Sequence, residues 1–248
     1  MSDDPMSTPM GNATIGENLL AAEASGRLVR RPDGLWQLPP LTGARVWVRS
    51  APPPVHDCPT LMRYLFLAAY GSSAVPWGCR ECFKVKILPR TLRHLMAAHQ
   101  LAQSSGLGFK CGTEIDVTCS DSRYGAYFYF RGLADARAAY KILRTAIDAH
   151  PKLGPDVNMV IKRGCTDYEM ACGPSDQWTF REDLPHLEAT LLARFHAVPR
   201  PAESGMDQAM TKMGWIHTAY RIGDETYLDF TGGRRLYPAT VTYDPDPS

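Results

Sequence analysis

Residues 77–88 read WGCRECFKVKIL, and the parsing of that stretch decides the fold. Phe83, Val85 and Ile87 alternate with Lys84 and Lys86, which is the period of a strand with one apolar and one polar face. Pro89 lacks a backbone donor and ends it. Downstream, Leu92, Leu95, Met96 and Ala102 recur at helical spacing over residues 91–104, and Gly106 and Gly108 close the helix. Residues 109–117 alternate again, a polar turn follows at 119–123, and 124–131 (YGAYFYFR) form a β-prone aromatic strand. Ala136, Ala139, Tyr140, Leu143 and Ile147 make the apolar stripe of a helix over 133–150, and 157–162 (VNMVIK) alternate as a last strand.

The order β-α-β-β-α-β with short connections predicts an α+β protein built on a ferredoxin-like antiparallel sheet. Right-handed crossovers set its strands side by side as fourth, first, third, second. Residues 1–40, rich in small, polar and proline residues, predict a flexible N-terminal arm with one short helix over 17–24. Residues 41–76 predict a strand at 44–49, a stop at the triple proline Pro52 to Pro54, and a helix over 57–70 packing on the core. The core with its cysteines spans 77–176. Residues 177–248 predict a helix over 183–197 and then a β-meander with strands at 215–222, 226–230 and 236–243.

A formal charge of +1 over 248 residues gives no global field for nucleic acid, a membrane surface or a strongly acidic partner. No apolar run approaches the ~20 residues of a membrane span. The first residues lack a basic stretch followed by an apolar one, so a cytoplasmic protein with reduced thiols is expected. The seven cysteines, at 58, 79, 82, 111, 119, 165 and 172, are then ligands, nucleophiles or core thiols.

The expected topology brings some of them together. Cys79 and Cys82 sit at the start of the first strand and Cys165 just past the end of the fourth, at the same edge and one strand spacing of ~4.8 Å apart. Cys172 follows in a glycine-bounded loop that can fold back. The expected ligand set is therefore Cys79, Cys82, Cys165 and Cys172, with Cys111, roughly 10 Å away, in reserve. Structural zinc favours two close-spaced cysteine knuckles, whereas iron–sulfur clusters accept scattered thiolates, which places an iron–sulfur cluster ahead of zinc. Arg80, Lys162 and Arg163 are expected to offset thiolate charge or to bind an anionic substrate. A redox, cofactor-maturation or unidentified enzymatic role, with a redox or maturation partner protein, follows from that set. No catalytic residue is assigned. Cys58, Cys111 and Cys119 read as ordinary thiols, Cys111 because strand parity puts it with Phe109 and Ile115 on the buried face, His56 as part of a loop or cap, and Asp167, Glu169, Glu114 and Asp116 as solvated carboxylates.

Two alternatives stand beside the metal. Cys79 and Cys82 could form a redox dithiol, with Arg80 between them favouring thiolate, although they precede a strand rather than a helix N-terminus. The other concerns the face carrying Lys84, Lys86, Tyr127, Tyr129 and Lys162. The run RYGAYFYFRGLADARAAY at 123–140 resembles the third strand and second helix of an RNA-recognition motif, and the resemblance implies single-stranded RNA stacked on Tyr127 and Tyr129. It departs from that family at Tyr124-Gly125, where the glycine–aromatic order is reversed.

Overall fold

The computed structural model describes residues 4–40, 43, 45–50, 57–115, 120, 122–198 and 202–243. It is an α+β arrangement around one five-stranded sheet, β1 (Trp47–Arg49), β2 (Cys82–Ile87), β3 (Phe109–Thr113), β4 (Tyr124–Arg131) and β5 (Met159–Arg163). The spatial order is β5-β2-β4-β3-β1, and every neighbouring pair is antiparallel. The register sets Lys84 opposite Tyr129 on one side and Lys162 on the other, and Lys110 opposite Tyr127. Pro52 to Pro54, His56, Asp116 and Cys119 lie outside the described residues.

One face of the sheet is covered by α2 (Leu92–Ser104) and α3 (Leu133–Asp148). Thr91 caps α2 by accepting from the His94 amide at 3.3 Å, and the chain leaves it through Gly106 at φ +69°. Val85, Ile87, Ala126 and Phe128 from the strands meet Leu92, Leu95, Ala136, Leu143 and Ile147 from the helices in one apolar cluster.

Two short helices, α4 (Thr166–Cys172) and α5 (Leu184–Leu192), precede the chain's longest helix, α6 (Gly205–Arg221). It departs from the expected C-terminal β-meander. Residues 215–221 belong to α6, residues 225–230 form a tight helical turn, and residues 236–243 are not strand. The reason is a capping box, Ser204 with Asp207, followed by Thr211, Trp215 and Ala219 buried at four-residue spacing. Trp215 is fully buried in the helix layer and its Nε1 donates to the Val46 carbonyl at 2.8 Å, so α6 completes the layer already formed by α2.

The N-terminal stretch is no loose arm over the described residues. Its helix α1 (Ile15–Ala24) opens with a Thr14–Glu17 capping box and buries Ile15, Leu19 and Ala22. These join Trp36, Tyr64, Leu65, Leu187, Leu191 and Phe195 in a second core. Thr60–Ala69, expected as an ordinary helix, is wound wider, with i→i+5 bonds such as Tyr70 N to Leu65 O at 2.8 Å. It serves two sides at once. Tyr64, Leu65, Ala68 and Ala69 face the second core, while Phe66 enters a third cluster with Val75, Cys79, Cys82 and Tyr168. That third cluster joins the sheet to the helical half.

Candidate metal centre

Cys79 ends a tight turn, Trp77–Cys79, just before β2. The turn is fixed by a buried carboxylate: Glu188 on α5 accepts from the Trp77 amide at 2.5 Å, the Gly78 amide at 3.4 Å and the Tyr70 hydroxyl at 3.0 Å. Cys82 opens β2, and its carbonyl accepts from the Gly164 amide at 2.8 Å, which locks the end of β5 to the beginning of β2. Gly164 holds φ +59°, and a Cβ there would lie 2.5 Å from the Trp178 ring, so only glycine lets the chain turn under that indole. The next residue is Cys165, at the N-cap of α4.

Lys84 Nζ donates to Cys165 Sγ at 3.1 Å. Lys84 is only 4% exposed. Burial by itself would lower its pKa, but its interactions with Cys165, Tyr129 and Cys82 outweigh burial and hold the ammonium well above the usual lysine range. Cys79 Sγ lies 3.4 Å from the hydroxyl of the buried Tyr168, whose ring meets Phe66 edge to face. Burial pushes the Cys79 thiol far up and that of Cys82 up to about 12. Both are therefore weak nucleophiles at neutral pH, which counts against a redox dithiol.

Cys58, just before the Thr60–Ala69 helix, is half-buried and its thiol is also raised by burial. The charges acting on it are those of Lys84, Cys165 and Lys110, and Cys58 in turn bears on Cys79 and Cys82. Cys58, Cys79, Cys82 and Cys165 thus share one electrostatic neighbourhood. Cys172 packs against the same apolar cluster, but its Sγ faces the Ser72 carbonyl at 3.7 Å, and burial alone raises its thiol. Cys111 is no reserve ligand. It is fully buried among the apolar residues on the helix-covered face, because strand parity sends Lys110 to the other face.

The cations expected at the site have partners of their own. Arg163 donates from Nε and Nη2 to the Arg80 carbonyl at 3.0 and 2.9 Å, and from Nη1 to the Ser175 carbonyl at 2.8 Å. Arg80 lies over the Trp77 ring at 4.3 Å beside Glu81. Lys162 donates to Thr166 Oγ1 at 2.6 Å and faces Glu169 at 3.6 Å. The residues that sequence reasoning passed over are Lys84 and Cys58. For Lys84 the signal was present: strand parity places it on the same face as Cys82, opposite Lys162, with Cys165 just beyond.

The RNA-recognition reading meets a covered face. Tyr129 is 5% exposed, and the Tyr127 hydroxyl donates to Glu114. Gly125 stands where that family stacks a base because a Cβ there would fall 2.7 Å from the Glu114 carboxylate, which also accepts from Lys86 Nζ at 2.9 Å and the Ser120 hydroxyl at 2.8 Å.

Among the described residues, no group of three or more His, Cys, Asp or Glu side chains is arranged to hold a metal ion, and no helix is long and apolar enough to cross a membrane. Compared with family models, with curated proteins and with solved structures, the chain gives no match.

Proposed function

We propose that the protein carries a thiolate-ligated iron–sulfur cluster, with zinc as the alternative occupant, at one rim of its sheet. It would serve electron transfer or cofactor maturation with a partner protein. The sheet is read as a ferredoxin-like β-α-β-β-α-β core, β2-α2-β3-β4-α3-β5, extended at one edge by β1. The proposed ligands are Cys79, Cys82 and Cys165, with Cys58 as the fourth in place of Cys172, whose thiol is turned to Ser72.

The observation that carries this reading is the buried lysine at 3.1 Å from Cys165 Sγ, in a neighbourhood shared by Cys58, Cys79 and Cys82. A buried ammonium is costly unless negative charge answers it, and N–H···S hydrogen bonds are what tunes clustered thiolates.

The test is anaerobic purification followed by reconstitution with iron and sulfide. The expected result is stoichiometric iron and acid-labile sulfide with a visible charge-transfer band, lost in Cys79→Ala and Cys58→Ala and retained in Cys172→Ala. Wild-type protein that stays folded and binds neither iron nor zinc would overturn the proposal.

A further inference from the structure

The sheet face opposite α2 and α3 gathers cations from adjacent strands: Arg49, Lys110, Lys86, Lys84 and Lys162. Most have an anionic or polar answer. Arg49 faces Glu203 at 3.5 Å, Lys86 has Glu114, Lys162 has Glu169, and Lys84 has Cys165. Lys110 has only aromatic faces, with Nζ 4.0 Å from the Trp47 ring centroid and 4.7 Å from that of Tyr127. No carboxylate lies within ion-pair distance of it among the described residues. Glu114, the carboxylate that bonds the Tyr127 hydroxyl, is also engaged by Lys86 and Ser120.

Cation–π contact only partly offsets the hydration a half-buried ammonium gives up when no anion answers it. In keeping with that geometry, burial and then the charge of Lys84 push Lys110 down to about 8, against an opposing pull from Cys165. Gly112 contributes to the geometry, because a Cβ there would clash with the Val46 carbonyl and the Trp47 ring, and its absence lets that ring lie across the sheet beneath the ammonium.

We infer that this face is a binding site for a small molecule carrying a phosphate or carboxylate group, with Lys110 as its principal contact. Lys84 and Tyr129 are closed off at 4% and 5% exposure, but Trp47, Lys110 and Tyr127 beside them are only half-buried, which leaves access for a small anionic group and no open track for a nucleic-acid backbone. The inference does not rest on the metal reading, since Lys110 answers to no proposed ligand by hydrogen bond.

The experiment titrates inorganic phosphate and citrate into full-length protein, both metal-free and iron-reconstituted, by calorimetry. At least one of the two anions is expected to bind in both forms at one site. Lys110→Met should weaken it at least tenfold with an unchanged melting profile, Lys110→Arg should retain it, and Lys141→Met, on the exposed side of α3, should leave it unaltered. Absence of binding, or binding indifferent to Lys110→Met, overturns the inference. Binding by metal-free protein that disappears on reconstitution also overturns it, because the lysines would then serve only the thiolates. A single-stranded oligonucleotide that displaces phosphate at equal charge concentration would replace it with the polymer reading.

Discussion

The two faces of one sheet follow opposite rules. On the helix-covered side, Val85, Ile87, Ala126 and Phe128 are wholly buried against α2 and α3, and the only requirement is volume and shape. On the other side the same strands contribute Lys84, Lys86, Lys110, Tyr127, Tyr129 and Lys162, of which Lys84 and Tyr129 are buried and the rest half-buried, and their polar groups need particular partners. A strand whose side chains alternate perfectly cannot make both faces oily unless both faces are core. Here β2 makes one face core and spends the other on charge placed beside thiols. A buried lysine at the centre of a sheet, Lys84, stands where an apolar residue would pack at lower cost.

The largest effect is expected where the apolar face is broken. Phe128→Ala should lower unfolding stability by about 3–5 kcal/mol in a urea titration, through lost transfer energy and the cavity left behind. Its iron content after reconstitution should stay at the wild-type level under conditions where it remains folded. An equal loss of iron would mean that the two faces are not separable.

Next comes the charged face. Lys84→Met removes the hydrogen bond to Cys165 while keeping the side chain's length, so stability should fall less than in Phe128→Ala. Retention of the metal, measured by competition with a chelator, should weaken by about tenfold or more, as for other residues that orient a ligand. Unchanged retention would reduce the difference between the faces to polarity alone.

The smallest effect belongs to Asp224, which ties the helix layer together. It accepts from the Leu92 amide at 2.6 Å and the Tyr124 hydroxyl at 2.7 Å, at the junction of α2 and β4. Burial would raise its pKa, but these bonds and those from Thr226 outweigh it and hold the carboxyl below its ordinary value of 3.8. A lowered folded pKa means stability that is present above 3.8 and lost as pH falls below it through the folded value. Asp224→Asn should cost about 1–3 kcal/mol at neutral pH and flatten that acid limb, as read from denaturation midpoints between pH 2 and 6.

Much of the sheet was legible because its signals are local. The alternation at 83–87 and the aromatic run at 124–131 lie on β2 and β4, and the stripe from Ala136 to Ile147 lies on α3. The C-terminal region misled for a local reason too: Trp215, Ile216 and Tyr220 are β-prone residues, and their propensity concealed a helix announced by Ser204 and Asp207. The N-terminal arm looked unattached because its sparse apolar residues, Ile15, Leu19 and Trp36, find their partners far along the chain, in the Thr60–Ala69 helix and around Phe195.

The sequence by itself determined where strands and helices run and which side chains share a strand face, since periods of two and of about 3.6 are properties of the backbone. Only the tertiary structure decided that Cys58 comes within electrostatic reach of the other thiols while Cys172 turns to Ser72, that Lys84 reaches Cys165, and that Arg163 holds the Arg80 and Ser175 carbonyls. Those outcomes depend on a glycine turn beneath Trp178, a carboxylate on a distant helix and the winding of the Thr60–Ala69 helix. Each sets angstrom-scale direction, and no spacing along the chain encodes direction between segments that meet only after folding.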